Sequence, residues 1–457
     1  MDDLGPALAA IVGEDHLDVG DAVREDDTHD ECLTVSGVRP AAVVRPATTS
    51  EVAAVTALAA ARGVPLTARG SGTGLSGACT PVEGGIVVSF ARMDRVLEVD
   101  LENHVAVVQP GVTLAELDEV LAPHGLVYPV FPGESSASLG GNVATNAGGM
   151  RAVKYGVTRH QVLGLTAVLG TGEVISTGGR FVKSTTGYDL TQLIIGSEGT
   201  LALATEVILK LYPRAAHMAT LLAPFTSLGS VTDAVPRIVA SGIGPLVLEY
   251  VDSRAMAGIV KANDLELGVP RSVRHETAAY LVIVLEQRRR DRLDEDVQEL
   301  AALVAGLGAI DVYVLPPGAG TALIEGREKV FWTAKALGAD DIVDMVVPRA
   351  AMADYMEEVA TLAASTGSVI VGCGHAGDGN VHLSVYQADA GVRAEVMRTL
   401  FAAGMEMGGA ISGEHGIGGA KRQWYEELED PTKVALLRRI KSAFDPEGIL
   451  NPGTIFS

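Results

Sequence analysis

The chain has 457 residues, 47% hydrophobic and 20% charged, which is long enough for two or three domains with buried cores. Its formal net charge of -22 argues against nucleic acid or an anionic membrane surface as a partner, because both require clustered Lys and Arg. It has no uninterrupted apolar stretch of about 18 residues and no visible signal peptide, so we expect a cytoplasmic protein without a transmembrane segment. Peripheral attachment at the inner face of the membrane is compatible with this expectation, and the oligomeric state stays open, a homodimer included.

Strand-like and helical runs alternate along the chain, which is typical of an α/β or α+β protein. The acidic, turn-rich residues 14–31 precede the first predicted strand. Two capping boxes, each a Thr followed three residues later by Glu, predict helices that begin after Thr48 and Thr113 and end at Gly63 and Gly125. Strands are predicted at 41–45, 65–68, 86–89, 105–108 and 207–211 in a first domain that ends near Pro213, and at 245–251, 280–285, 310–315 and 342–347 in a second, with helices at 293–307 and 431–444.

A candidate metal site follows from the spacing of two histidines. Asp378-Gly379 between alternating apolar residues is a strong hairpin signal, and a two-residue turn there would place His375 directly opposite His382 on one face of a sheet. Glu414 follows in a Gly-rich segment, and two imidazoles with a carboxylate suit a divalent ion. The alternative from the residues alone is that both imidazoles cap and hydrogen-bond a tight turn.

Three loops rich in Gly, Ser, Thr and Asn form a second constellation, in the first domain. Residues 69–78 directly follow a strand, and their backbone N–H groups suit a pyrophosphate without a Lys. No GxxxxGK[ST] and no helix with Rossmann spacing is present, which disfavours a P-loop NTPase or an ordinary dinucleotide fold. Alone this loop is equally compatible with a flexible connection. Residues 131–149 and 196–201 add two more such loops, as a buried, extended, polar cofactor would require.

The order of these motifs resembles the vanillyl-alcohol oxidase type of FAD-binding flavoproteins. Within that type it is similar to the D-2-hydroxy-acid dehydrogenases related to the glycolate oxidase catalytic subunit and D-lactate dehydrogenase. The resemblance covers residues 36–457. It rests on the loop from Arg69, on Pro132-Gly133, on Gly140-Gly141-Asn142, on residues 196–200, 374–382 and 412–416, and on the closing Asn451-Pro452-Gly453.

The resemblance implies an α+β fold in three parts after an acidic N-terminal segment at residues 1–35. A two-part FAD-binding domain of the vanillyl-alcohol oxidase type is expected at 36–214. A ferredoxin-like α+β substrate domain, which caps the flavin and carries the metal hairpin, is expected at 215–410. Residues 411–457 are expected to return to the flavin.

The expected FAD contacts lie mostly in the Gly-rich loops. Relatives that attach the flavin covalently often use a His in the pyrophosphate loop, and residues 69–78 contain none, so we expect non-covalent FAD. The cofactor-binding residues that we expect are Arg69, Gly70, Ser71, Gly72, Thr73, Gly74, Ser76, Pro132, Gly133, Ser138, Leu139, Gly140, Gly141, Asn142, Thr145, Asn146, Gly148, Gly149, Tyr155, Gly156, Glu198 and Asn451.

The resemblance also implies roles for the second constellation. His375, His382 and Glu414 match divalent metal ligands, while Asn380 and His415 match groups that face the substrate. The metal would lower the pKa of the substrate hydroxyl, and His415 would take its proton while the C2 hydrogen leaves as hydride to the flavin. Zinc suits such a ligand set, and manganese or iron is compatible with it.

Two further positions bear on the substrate. Arg327 matches an arginine that clamps the substrate carboxylate, and the alternative in its charged helical stretch is a solvated surface arginine. In family members that take a dicarboxylic substrate such as D-2-hydroxyglutarate, a lysine occupies the position of Ile342, two residues before Asp344. An aliphatic side chain cannot pair a second carboxylate, which favours a monocarboxylate such as D-lactate, glycolate or a longer D-2-hydroxy acid.

The sequence therefore predicts an FAD-dependent dehydrogenase that oxidises a small D-2-hydroxy acid and passes electrons to a quinone, a cytochrome or an iron–sulfur partner protein. The 3 cysteines are widely spaced and form no CxxC, so any iron–sulfur cluster must belong to a partner. One alternative is a glycolate oxidase catalytic subunit that is active only in complex with such a partner. Another is a non-redox flavoprotein related to alkyl-glycerone-phosphate synthase, against which the retained metal ligands speak.

Overall fold

The first part of the chain forms two larger sheets and one short pair of strands. The computed structural model describes residues 3–456. Up to residue 213 its strands are β1 (Leu17–Val19), β2 (Ala42–Val44), β3 (Leu66–Arg69), β4 (Ile86–Ser89), β5 (Val96–Asp100), β6 (Val105–Val108), β7 (Leu126–Val127), β8 (Val162–Leu169), β9 (Val174–Gly178), β10 (Ala202–Lys210) and β11 (Tyr212–Pro213). Its helices there are α1 (Leu4–Val12), α2 (Thr49–Arg62), α3 (Leu114–Leu121), α4 (Leu139–Thr145), α5 (Ala152–Tyr155) and α6 (Leu190–Ile194).

The order of the strands separates two cores in this part. One sheet has the order β1-β2-β4-β3, with β2, β4 and β3 parallel. The other is antiparallel, with the order β5-β6-β10-β8-β9, and β11 pairs with β7. Helix α2 buries Val52, Val55 and Ala59, spaced as on one helical face, against the first sheet. Helix α4 buries Leu139 and Val143 in the core of the second.

The ends of helices α2 and α3 have the capping residues that the sequence predicts. The Thr48 side chain accepts a hydrogen bond from the Glu51 backbone N–H, and α2 ends at Gly63 in the left-handed conformation. Thr113 and Glu116 form the full capping box of α3.

The prediction that residues 41–45 are the first strand is wrong, because β1 precedes them and pairs antiparallel with β2. Three residues are too few to give a periodic signal.

The second part of the chain is built on one large sheet. Its strands are β12 (His217–Phe225), β13 (Val247–Asp252), β14 (Ala279–Gln287), β15 (Tyr313–Val314), β16 (Asp341–Val346), β17 (Val369–His375) and β18 (Asn380–Tyr386). Its helices are α7 (Leu228–Ala240), α8 (Ser253–Ala262), α9 (Arg271–Glu276), α10 (Arg290–Gly306), α11 (Pro317–Glu328), α12 (Val330–Ala336), α13 (Met352–Thr366), α14 (Ala390–Glu406), α15 (Arg422–Leu428) and α16 (Pro431–Phe444). The predicted bounds of α16 are confirmed.

The sheet order in this part confirms a ferredoxin-like unit. All its strand pairs are antiparallel, in the order β15-β12-β14-β13-β17-β18-β16. Strands β12 to β15 with α7 and α10 give the βαββαβ arrangement, and β17, β18 and β16 extend that sheet at the β13 edge. Among residues 3–456, no helix has the length and apolar character needed to span a bilayer.

The register of the β17–β18 hairpin differs from the prediction. His375 pairs with Asn380, and Cys373 pairs with His382, so the loop has four residues, 376–379, rather than two. The prediction that His375 and His382 are directly opposed is therefore wrong. The loop instead places Gly379 in the left-handed region, with φ +80°, which longer hairpin loops commonly use.

Neighbouring strands hold this longer loop. The Gly377 N–H donates to the Leu248 carbonyl (3.0 Å), and the Val347 N–H donates to the Gly379 carbonyl (2.9 Å). The Arg349 guanidinium also donates to the Gly377 carbonyl. These contacts are tertiary, which is why the Asp-Gly signal alone did not reveal them.

The C-terminal segment returns to the first sheet. The Leu66 N–H donates to the Ile449 carbonyl (2.8 Å), and the Asn451 N–H donates to the Leu66 carbonyl (2.7 Å). The Asn451 side-chain amide donates to the carbonyls of Ala78 (2.9 Å) and Glu198 (2.7 Å). The Asn451 side chain therefore joins two of the Gly-rich loops.

Replacing Gly379 with Ala should destabilise the second domain by about 1–3 kcal/mol. The new methyl group would meet the Val347 carbonyl oxygen, and φ would stay positive. The free energy of unfolding of the full-length protein, from urea denaturation, measures this loss. Gly306→Ala is the control, because it ends α10 with open space around its Cα. Equal stability of both variants would contradict the strained turn.

Candidate active site

A cluster of ionisable side chains lies at the β17–β18 hairpin. His375 ends β17 and His382 is the third residue of β18, with their ring centroids 4.8 Å apart. Glu414, from the segment after α14, places its Oε1 3.0 Å from His375 Nε2 and 3.2 Å from His382 Nε2. The structure thus brings the three predicted metal ligands together.

The position of Glu414 depends on Asp344, a fully buried residue of β16. Its Oδ2 accepts hydrogen bonds from the Ser412 hydroxyl (2.7 Å) and from the backbone N–H groups of Glu414 (3.0 Å) and His415 (2.8 Å). Its Oδ1 accepts a bond from the Asn380 amide (2.8 Å). Burial alone would raise the pKa of Asp344, but the neighbouring His415, Lys421 and His382 outweigh burial and hold that pKa below its usual range. An ionised Asp344 therefore fixes the segment that carries Glu414.

A second buried carboxylate, Glu249 on β13, orients His375. Its Oε1 lies 2.6 Å from His375 Nδ1, so Nδ1 carries the proton and Nε2 faces Glu414. Burial opposes ionisation of Glu249, but His375 and Arg327 lower its pKa. Sequence reasoning missed this residue. The available signal was a lone Glu in the apolar run 246–251, since an unpaired buried carboxylate is rare.

Arg327 lies beside the same carboxylate. Its Nη2 is 2.7 Å from Glu249 Oε2, and the residue is 8% exposed, so it is not a solvated surface arginine. The contact is an ion pair without hydrogen-bond alignment, and among residues 3–456 no aligned acceptor faces its Nε or Nη2. Nη2 therefore faces Glu249, and Nε is buried without an acceptor among the described residues.

The two residues predicted to face the substrate have different surroundings. The His415 ring stacks on His382, with centroids 5.1 Å apart and planes at 19°. Burial lowers the pKa of His415 to about 4, against the opposing effect of Asp344, so its imidazole is neutral near pH 7. The Asn380 amide is committed to Asp344 and to the Met345 carbonyl (3.0 Å). It lies behind the cluster and lines neither cavity described below.

The donor set fits a divalent metal ion. One ligand atom from each of His375, His382 and Glu414 lies within 4.8 Å of the others. An imidazole nitrogen this close to a carboxylate oxygen needs a proton or a metal ion between them, and Glu414 Oε2 is buried without a hydrogen-bond partner among residues 3–456. A second set, Asp344 with His382 and His415, is equally compact. It fits less well, because four donors already occupy the Asp344 oxygens.

A cavity lies between the Gly-rich loops of the first domain, where FAD is expected to bind, and we call it the flavin cavity. Its wall includes most of the residues expected to bind FAD, and their small side chains leave the backbone open to a ligand. These are Gly70, Ser71, Gly72, Thr73, Gly74, Ser76, Pro132, Gly133, Ser138, Gly140, Gly141, Asn142, Thr145, Glu198 and Asn451.

The other residues expected to bind FAD lie outside that wall. Arg69 donates to the His29 carbonyl (2.7 Å), and the Tyr155 hydroxyl donates to Glu286 (2.6 Å). Leu139 belongs to the core, and Gly149 lines the second cavity. Asn146, Gly148 and Gly156 are also outside the wall.

Lys421 was also missed by sequence reasoning. Its Nζ donates to the Gly416 carbonyl (2.9 Å) and to the Ser76 hydroxyl (3.3 Å), and Ser76 in turn donates to the His415 carbonyl (2.9 Å). The lysine is 4% exposed. A single Lys after a Gly-rich segment gives no periodic or motif signal, so only the packing reveals that it ties a first-domain loop to the ionisable cluster.

A second cavity, of about 530 Å³, opens beside the cluster. His375, His382 and Arg327 line it, and Glu414 and His415 line both cavities. The two cavities therefore meet at the ionisable cluster.

Comparison with known proteins identifies the family of the chain. Residues 40–178 match the family model of an FAD binding domain, and residues 214–455 match that of the C-terminal domain of FAD linked oxidases. The chain belongs to the FAD-linked oxidases. It is an FAD-linked oxidoreductase with a two-domain architecture, and the expected resemblance and fold class are confirmed.

Three relatives cover almost the whole of this FAD-linked oxidase. An uncharacterised FAD-linked oxidoreductase of Mycobacterium tuberculosis is 57% identical, over 100% of this chain and 99% of its own. A D-lactate dehydrogenase of Archaeoglobus fulgidus is 39% identical, over 90% of both chains. A glycolate oxidase subunit of Bacillus subtilis is 34% identical, over 100% and 97%. The solved 4-ethylphenol oxidase from Gulosibacter chungangensis shares the fold, with a TM-score of 0.81, 20% identity, and coverage of 100% of this chain and 97% of its own.

Metal content should distinguish the two candidate ligand sets. We expect His375→Ala to lose a bound divalent ion and His415→Ala to keep it, because only the first removes a member of the His375, His382 and Glu414 set. Elemental analysis after gel filtration measures the ratio of metal to protein. The exposed His124, changed to Ala, is the control. The opposite pattern would assign the ion to Asp344, His382 and His415.

The flavin should leave the FAD-linked oxidase when the protein unfolds. Residues 69–78 contain no His to which a flavin could be attached. Elsewhere in the wall of the flavin cavity, the side chains capable of such attachment are His415 and Cys79. After acid denaturation and centrifugation, we expect the yellow colour in the supernatant. Colour that stays with the pellet would show a covalent bond.

Proposed function

We propose that this FAD-linked oxidase oxidises a D-2-hydroxy monocarboxylic acid to the 2-keto acid. The single observation that carries the proposal is that Glu414 and His415 line both cavities. A substrate held beside the metal-ligand set would therefore lie against the flavin cavity. The electrons would pass from FAD to a quinone, a cytochrome or a partner protein.

FAD and a divalent metal ion would each supply one part of the proposed chemistry. Bound FAD supplies a two-electron acceptor for the hydrogen on substrate C2. A divalent ion held by His375, His382 and Glu414 would lower the pKa of the substrate hydroxyl. The neutral nitrogens and single carboxylate leave room for oxygen ligands from the substrate.

His415 is the proposed base for the hydroxyl proton. Its backbone N–H is fixed by Asp344, its ring stacks on His382, and its imidazole is neutral near pH 7. A base needs both a defined position and a free lone pair, and this residue has both.

Arg327 is the proposed partner of the substrate carboxylate. Arg327 lines the second cavity beside the metal-ligand set, and its Nε has no acceptor among residues 3–456. Glu249 holds the guanidinium in place from behind through the 2.7 Å ion pair. Ile342 in the same wall offers no charge to a second carboxylate, which supports a monocarboxylate.

Anaerobic mixing tests this function directly. We expect D-2-hydroxy acids to bleach the visible absorbance of the bound flavin, and His415→Gln to slow that reduction by about 10²–10⁴-fold while it retains FAD. His124→Gln is the matched control at an exposed histidine. A flavin that stays oxidised with every D-2-hydroxy acid would overturn the proposal and favour a non-redox flavoprotein.

A second candidate is a catalytic subunit that works only in a complex. It is supported by the relative named as a glycolate oxidase subunit and by the absence of clustered cysteines in the sequence. The isolated protein, assayed by dye reduction with D-lactate and with glycolate, separates the two. A subunit that depends on an iron–sulfur partner should show little turnover alone.

A further inference from the structure

We propose that the substrate carries an extended apolar tail at C3 and beyond, so that D-2-hydroxy acids of medium length are preferred over D-lactate. The inference rests on the proposed function and names the substrate class within it. The observation is that the second cavity continues from the ionisable cluster along the sheet and is lined there by apolar side chains. We call this apolar part of the second cavity the tunnel.

The floor of the second cavity is one face of three strands. Residues two apart on a strand share a face, so Val369, Val371 and Cys373 of β17 lie in line with His375. They are paired with Tyr386, Ser384 and His382 of β18. All of these residues line the cavity. The floor is therefore ionisable at one end and mostly apolar at the other.

The length of this floor exceeds what a methyl group needs. Cys373 and Val369 are four residues apart, which corresponds to about 13 Å along an extended strand. Ile342 on β16, paired with Ser384, widens the apolar end. D-Lactate, whose side group is a methyl, would occupy only the part beside His375 and Arg327.

Two helices cover this floor with apolar side chains. Ile259 of α8 and Val330 and Ala334 of α12 line the cavity, and Leu337 directly follows α12. Leu337 is 70% exposed and Val369 is 47% exposed, so the apolar end reaches the surface. A tail of several methylenes could extend along the tunnel without meeting a closed wall.

The flavin does not account for this space. None of the residues that the second cavity shares with the flavin cavity is on the strands of the floor; they are Leu75, Pro132, Gly133, Glu328, Phe331, Glu414 and His415. Val369, Val371 and Leu337 line the second cavity alone. The apolar end is thus separate from the cofactor.

Charges in the wall also favour an apolar tail. Arg254 and Arg327 are the only Arg or Lys side chains among the described residues of the wall. Arg327 is needed at the ionisable end. Arg254 is exposed at the start of α8. A second carboxylate would therefore lose its water without gaining a buried partner.

A series of substrates of increasing length tests the inference on the holoenzyme. With a dye as electron acceptor, we expect kcat/KM to rise from D-lactate through D-2-hydroxybutyrate to D-2-hydroxyoctanoate, by about fourfold for each buried methylene. Values that stay flat or are highest for D-lactate or glycolate would overturn the inference. So would a higher value for D-2-hydroxyglutarate than for D-2-hydroxyoctanoate, because Arg254 would then bind a second carboxylate.

A variant of the floor gives an independent check. Val371→Phe places a ring in the tunnel away from the ionisable end, so kcat/KM for D-2-hydroxyoctanoate should fall at least about tenfold while that for D-lactate changes less than about twofold. Val314→Phe is the control, since Val314 is 54% exposed on β15 and lines neither cavity. An equal loss for both substrates would contradict a tail site at Val371.

The outcomes separate this inference from the proposed function. If D-lactate reduces the flavin as well as longer acids do, the function stands and the apolar tail is wrong. If no D-2-hydroxy acid of any length reduces the flavin, the proposed function itself is wrong.

Discussion

The candidate site depends on the carboxylate of Asp344. It lies on β16 at the edge of the large sheet and accepts bonds from β18, through Asn380, and from residues 412–415 of the C-terminal segment. An ionised group without exposed surface is costly unless several donors surround it. Because those donors belong to separate segments, satisfying this one charge brings Glu414 beside the two histidines of the hairpin.

The period of the β-strand explains why the site survives an error in the predicted register. A slip of one residue moves every side chain to the other face, whereas a slip of two keeps the face. The loop of four residues shifts the pairing from His375–His382 to Cys373–His382, an even step. The imidazoles become diagonal neighbours with ring centroids 4.8 Å apart, still within reach of one ion.

Local chemistry could be predicted from the sequence, and tertiary partners could not. The capping boxes at Thr48 and Thr113, the Gly-rich loops and the spacing of His375 and His382 each leave a pattern within a short stretch of sequence. Glu249 and Asp344 leave no recognisable motif in their strands, because their partners are distant in the sequence. Strand β12, which begins four residues after Pro213, could not be predicted, because no alternating pattern marks where it begins.

The flavin cavity and the ionisable cluster share one segment, which couples them physically. Asp344 holds residues 412–415 from the second domain. From the first domain, Glu198 accepts from the N–H groups of Ile417 (2.8 Å) and Gly418 (2.7 Å), and Ser76 donates to the His415 carbonyl (2.9 Å). A ligand that fixes the loop around Ser76 therefore also restricts His415 and Glu414. Since linkage between binding sites is reciprocal, a ligand bound at Glu414 would in turn favour the conformation of the Ser76 loop that a ligand in the flavin cavity selects.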